Sequence, residues 1–145
     1  MKVYLDMCAL KRPFDDQTRG RIVIETLAVT RILDAVSAGR LTLCNSAALE
    51  FENQQNPNAQ RRGRVATLLK WIGRPEPATA RVFARSVEIA RLGFSDMDAL
   101  HLAFAEHLKT DYFVTVDDEI LARSQKVHLP VKLLDVVDVI KELGL

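Results

Sequence analysis

The sequence predicts an α/β protein built on a parallel sheet, and three observations carry that expectation. Strand-like apolar runs alternate with stretches of helical periodicity along the whole chain. The runs are nearly continuous in apolar character, as strands covered on both faces are. Two of them, ending at Leu5 and Val116, pass directly into an aspartate.

The first strand is Lys2-Val-Tyr-Leu, closed by Asp6. Lys11 to Arg21 is polar and contains Pro13 and Gly20, so a loop is expected there. Ile22, Val29, Ile32, Leu33 and Val36 then recur at helical spacing, and Gly39 supplies a stop. Leu41-Thr-Leu-Cys44 reads as a second short strand. Ser46 is placed to cap a helix running towards Asn56-Pro57. Residues 58 to 92 read as two helical pieces broken at Gly73-Arg-Pro75-Glu-Pro77. Ser95 opens a long helix to about Leu108. Tyr112-Phe-Val-Thr-Val116 has strong β character. A short helix from Glu119 to Arg123 follows, capped by Asp118, then a fourth strand, Val131-Lys-Leu-Leu134, and a closing helix from Val136 to Leu143.

At 145 residues the chain is expected to form a single domain spanning 1–145, long enough for a substantial core. A hydrophobic content of 48% and a charged content of 27% are those of a globular protein. The net charge of +1 does not mark a nucleic-acid binder by composition, although local patches can hide in a balanced total. Met1 to Leu5 is too short for a signal peptide, and no segment is long enough to cross a bilayer, so a cytoplasmic protein without membrane contact is expected. Cys8 and Cys44 have no CxxC spacing and read as reduced thiols. No P-loop or GxGxxG fingerprint is present, which argues against a nucleoside triphosphatase or a dinucleotide enzyme.

Asp6, Glu52, Asp98 and Asp117 stand where an uncompensated carboxylate is costly. Asp6 and Asp117 each follow an apolar strand, at the edge where ligands of parallel sheets gather. An aspartate there also starts turns and caps helices, so the pair of equivalent positions carries more weight than either alone. On the helix from Ser46, a step of about 100° per residue puts Glu52 between Ala48 and Leu49 on a face shared with Phe51, and Glu50 opposite. On the helix from Ser95, Asp98 lines up with Leu102 and Ala105, while Asp96 points away. Ser95-x-x-Asp98 also resembles a capping box, and a cap does not exclude a ligand. Asp96 and Asp118 are held as alternatives, and Asp15 and Asp16 read as solvated loop acids. His101 and His107 are six apart with no HxxxH pattern, and His101 reads as a packing residue.

Carboxylates gathered in this way repel: two charges about 5 Å apart cost roughly 3 kcal/mol at an effective dielectric near 20. A hard divalent cation relieves that strain, and an all-oxygen set selects Mg²⁺ or Mn²⁺ over zinc. Such a pocket points to metal-assisted hydrolysis of a phosphodiester.

With those residues in place, the chain resembles PIN-domain proteins of the VapC-type bacterial toxin group over nearly its full length. The likeness is carried by Val3-Tyr-Leu-Asp6, Ser46-x-x-Leu49-x-Phe51-Glu52, Asp98-Ala-Leu-His-Leu-Ala103 and Thr115-Val-Asp117-Asp118. Arg12-Pro-Phe-Asp-Asp16 and Asn56-Pro57 resemble one bacterial subgroup. The resemblance implies a three-layer α/β/α sandwich around a parallel sheet of four or five strands. It also implies a Mg²⁺-dependent endoribonuclease, with Mn²⁺ as the other candidate ion, serving as the toxin of a type II toxin–antitoxin pair. Its acids fall on Asp6, Glu52, Asp98 and Asp117, with Asp6, Asp98 and Asp117 as the metal ligands. Met7 and Cys8 depart from the family, which often carries Asn, Ser or Thr just after the first Asp. Thr115 is retained and is a candidate partner for a neighbouring carboxylate. The implied partners are an RNA substrate, a small antitoxin and a second copy of the chain. The helices between residues 58 and 92 are the expected contact surface, their Arg61, Arg62, Arg64, Lys70 and Arg74 being an alternative track for RNA phosphates. Arg12, in the loop leaving Asp6, is the candidate substrate contact. The competing expectation is a catalytically degenerate module that binds RNA or protein. A Toprim-like site built on Asp96-x-Asp98 is disfavoured, because that pair opens a helix rather than ending a strand.

Overall fold

The computed structural model describes residues 1–145. Four strands, β1 (Lys2–Leu5), β2 (Thr42–Leu43), β3 (Tyr112–Thr115) and β4 (Lys132–Asp135), form one sheet in the order β2-β1-β3-β4. Every pairing is parallel, with Leu5 opposite Val114 and Val3 opposite Leu43. The apolar runs explain this arrangement. Val3, Tyr4, Leu5, Phe113 and Val114 are all buried, so helices must cover both faces. Tyr4 and Phe113 stack across β1 and β3, with ring centroids 5.5 Å apart and planes 11° from parallel.

Eight helices provide the cover: α1 (Met7–Leu10), α2 (Gly20–Ser37), α3 (Ala47–Gln54), α4 (Ala59–Ile72), α5 (Ala80–Ala90), α6 (Asp96–His107), α7 (Asp118–Ser124) and α8 (Val136–Leu143). On one side α2 packs on α8, and α8 on β3 and β4. On the other, α6 packs on β3 and carries α3 and α5, with α4 on α3. The result is an α/β/α sandwich with four strands in its sheet, its core a single cluster of 32 buried apolar residues.

Local chemistry sets most helix starts. Ser46, Asn58, Thr79 and Ser95 each accept a backbone N–H of the first turn of α3, α4, α5 and α6. Two features differ from the sequence expectation. The segment after Asp6 is helical at once: Asp6 caps Met7, and α1 buries Met7, Ala9 and Leu10 before a 3-10 turn at Arg12–Phe14. Phe51 was expected on the buried face of its helix but is 53% exposed, and Asn53 is buried instead. The helix is only eight residues long and packs on both α4 and α6.

Candidate acidic site at the edge of the sheet

The chain leaves β1 on one side towards β2, and β3 lies on the other, so the order of strands reverses between β1 and β3. A crevice opens beyond the carboxyl ends of strands at such a point. Asp6 follows β1 and Asp117 comes two residues after the end of β3, so both stand at that crevice.

Asp6 is 4% exposed and is held by neutral donors only. The Met7 N–H donates to Oδ1 (2.9 Å), and the Thr115 hydroxyl donates to Oδ2 (2.9 Å). The Cys8 thiol donates to Oδ2 as well, at 3.2 Å, and lies 3.2 Å from the Thr115 hydroxyl. Met7 and Cys8 thus supply polar support through a backbone amide and a thiol. Burial, and then the charge of Asp6, push the Cys8 thiol well up, so it remains a protonated donor. Thr115 also accepts the Asp117 N–H (3.1 Å), tying the two aspartates to one side chain.

Asp117 caps α7, accepting the Glu119 N–H at 2.9 Å and the Ile120 N–H at 3.3 Å. Asp98 stands in the first turn of α6, half-buried, with its own N–H donating to Ser95 Oγ (3.1 Å). Burial pushes the Asp98 carboxyl up, and the charges of Asp6 and Asp117 add to the rise against the opposing pull of Ser95 and His101. The charges of both other aspartates are thus felt at Asp98. None of Asp6, Asp98 and Asp117 has a cationic side chain within ion-pair distance.

Glu52 reaches the same region through His101. The imidazole Nε2 lies 3.0 Å from Glu52 Oε1, and Nδ1 lies 2.7 Å from the Tyr4 hydroxyl. That hydroxyl is in turn 2.7 Å from Ser46 Oγ, which accepts the Leu49 N–H of α3. His101 is fully buried. Burial acts to strip its proton, but the hydrogen bond to Glu52 and the charges of Asp6, Glu52 and Asp98 prevail and raise its pKa. His101, read from sequence as a packing residue, is buried as expected, and both its ring nitrogens are partnered, by Tyr4 and by Glu52. Its one sequence signal was its place one turn beyond Asp98 on α6.

The remaining candidates stand apart. Asp96 is exposed. Asp118 is exposed too and does not cap α7, since Asp117 does; Arg21 grips both its oxygens at 2.9 Å and lowers its pKa. Arg12 is not free to meet a substrate: its guanidinium contacts Asp15 at 3.0 Å and Glu25 at 3.3 Å. The Glu25 contact is off-line for a hydrogen bond, leaving Arg12 Nε and Glu25 Oε1 in ion-pair contact alone. Asp15, expected to be solvated, is drawn into this cluster by Arg12 and Arg61. Glu25, which sequence gave no reason to single out, is 3% exposed and faces both Arg12 and Arg21. His107 pairs with Glu76, away from the aspartates.

The donor chemistry of Asp6, Asp98 and Asp117 fits a hard oxygen-seeking cation, and their missing counter-charge leaves room for one. Their spacing is looser than a finished cage: as placed, no three His, Cys, Asp or Glu side chains are close enough together to hold an ion. No helix is long and apolar enough to cross a membrane.

No family model matches the chain, and no curated protein matches it. Solved structures do. VapBC2 from Rickettsia felis, bound to a DNA fragment from their promoter, aligns with a TM-score of 0.60 at 11% identity, covering 93% of this chain and 98% of that one. FitAcB from Neisseria gonorrhoeae aligns at 0.59 and 16% identity, covering 93% and 98%. FitAB bound to an IR36 DNA fragment gives 0.58 and 17% identity, covering 92% and 94%. These likenesses define the class by architecture: the chain has the PIN-like fold. Within that class, the arrangement it shares is that of chains in the VapBC2 and FitAB structures.

Proposed function

We propose that the chain is a Mg²⁺-dependent endoribonuclease that hydrolyses RNA phosphodiester bonds, with Mn²⁺ as an alternative ion. The observation that carries this reading is Asp6, a buried carboxylate with no cationic partner, set at the β1–β3 crevice and electrostatically coupled to Asp98. Buried charges are ordinarily paired or bound to a metal. The contrast with Glu25, equally buried but faced by two arginines, sharpens the point.

Asp6, Asp98 and Asp117 are the residues that would hold the ion. Bound there, it supplies a water of lowered pKa and offsets charge on the leaving oxygen. Thr115 and Cys8 keep Asp6 facing the crevice. Glu52 has one oxygen fixed by His101, and its other carboxylate oxygen would orient water or accept a proton.

The VapC-type resemblance and the fold shared with VapBC2 support a role as the toxin of a toxin–antitoxin pair, restrained by a small antitoxin and active as a homodimer in the cytoplasm. Phe83 and Val87 on α5, with Phe51 on α3 and Trp71 on α4, expose the apolar surface such contacts need. A second reading, a non-catalytic RNA- or protein-binding module, is favoured by one observation: the side chains as placed do not form a chelate. Cleavage of RNA in Mg²⁺ or Mn²⁺ by wild type, Asp6→Asn and Asp98→Asn separates the two. Loss of cleavage in both variants, with unchanged melting behaviour, supports the ribonuclease; full activity in both, or none in the wild type, rejects it.

A further inference from the structure

Beside the acidic crevice, α7 and the turn before α6 enclose a cavity of about 320 Å³, bounded by Gly93, Ser95, Asp98, Glu119, Arg123 and Lys126. Two of its walls are cationic and one belongs to the aspartate cluster. We infer that Arg123 and Lys126 form a phosphate subsite for single-stranded RNA, beside the carboxylates, an assignment that rests on the ribonuclease reading above.

Three observations converge on it. Arg123 and Lys126 are both exposed, and neither side chain makes an ion pair or hydrogen bond within the protein. Other arginines near the crevice are spent: Arg12 on Asp15 and Glu25, Arg21 on Asp118 and Glu25. Arg123 also forgoes a partner within easy reach, because Glu119, four residues earlier on α7, is the favoured spacing for a helical ion pair. Instead its guanidinium lies along the backbone of Gly93. A Cβ at Gly93 would stand 3.0 Å from both Nε and Cζ of Arg123, and the Gly93 φ of +109° suits glycine. The missing side chain lets the guanidinium settle over the turn that leads to Ser95 and Asp98.

The chemistry of the substrate gives this arrangement a use. A phosphodiester held at Asp6, Asp98 and Asp117 carries neighbouring phosphates along its strand, and each needs a positive partner. The aspartates cannot provide one. Arg123 offers a planar fork suited to phosphate oxygens, and Lys126 a mobile point charge. Glu119 and Asp98 on the same walls disfavour an anion deep in the cavity, which places the phosphate at its cationic rim.

The test is equilibrium binding of a short fluorescent single-stranded RNA, read by anisotropy across a salt series. Ca²⁺ replaces Mg²⁺, since it occupies oxygen sites without the octahedral demand of Mg²⁺. Each single-stranded phosphate contact contributes about 0.7 to the slope of log affinity against log salt. Arg123→Ala with Lys126→Ala is expected to flatten the slope by about 1.4. Arg40→Ala removes one positive charge beyond the C-terminal end of α2, against two in the double variant, and is expected to leave the slope unchanged rather than flatten it by about 0.7. A wild-type slope in the double variant, an equal change in Arg40→Ala, or no salt-dependent binding by the wild type overturns the subsite. Cleavage is scored separately in Mg²⁺. A wild type that binds with the expected slope yet never cleaves removes the ribonuclease reading and keeps the RNA subsite.

Discussion

Asp6 and Glu25 are two buried carboxylates compensated in different ways. Glu25 is met by Arg12 and Arg21, while Asp6 is met by an amide, a hydroxyl and a thiol, none of which carries charge. Neutral donors hold Asp6 in place without supplying a counter-charge, which on the proposed reading a cation would supply. Asp6→Asn is therefore expected to reduce RNA cleavage by about 10²–10³-fold or more, the scale of losing one preorganised electrostatic group, with kcat as the readout. Tyr4→Phe removes the partner of His101 Nδ1 in a sealed interior and is expected to cost about 1–3 kcal/mol in urea unfolding. The sign of the pH dependence follows from His101. Its folded pKa is raised, so its stabilising contribution is complete below the unfolded value, about 6.5, and is lost as pH rises through the folded value. In metal-free buffer, wild-type stability is expected to fall across that window relative to His101→Gln, a difference that denaturant titrations at a series of pH values measure directly. Equal pH profiles for the two proteins would remove the linkage.

At the scale of elements, α6 carries most of the site: its first turn holds Asp98, and its second turn holds His101. Ser95 fixes that first turn by accepting the Asp98 N–H. Ser95→Ala is expected to cost about 0.5–2 kcal/mol of stability by chemical denaturation and to loosen the placement of Asp98. The start of α6 was legible because a serine followed by an apolar stripe is a local signal. The strands were legible for a similar reason, although β2 is shorter and β4 one residue later than the apolar runs indicate. What sequence hid was tertiary. Nothing local says that Asp6 starts a helix at once, that Arg12 turns inward to Glu25, or that Phe51 faces water. His101 is the clearest case: its spacing fits a core position, and only the approach of β1 and α3 reveals Tyr4 and Glu52 at its two nitrogens. That Asp6 and Asp117 follow strands and that Asp98 stands in the first turn of a helix was legible locally, whereas how near they come to one another is tertiary.

At the scale of the whole molecule, the parallel order β2-β1-β3-β4 is what brings residues 6 and 117 to one edge of the sheet, and α6, packed on β3, carries Asp98 in its first turn. The stacked pair of Tyr4 and Phe113 sits at the centre of that sheet, so Phe113→Ala is expected to destabilise by about 3–5 kcal/mol and to disturb the spacing of the aspartates. On the proposed reading, the site would depend on the fold for position and on an ion for charge balance. Calorimetric titration of Mn²⁺ into the wild-type protein and Asp98→Asn tests that dependence most directly. The expected result is saturable uptake by the wild type and an affinity weaker by more than about tenfold in Asp98→Asn, beyond the lower bound seen for outer-sphere partners of a metal. No uptake by the wild type, or equal uptake by both, would contradict a shared metal site.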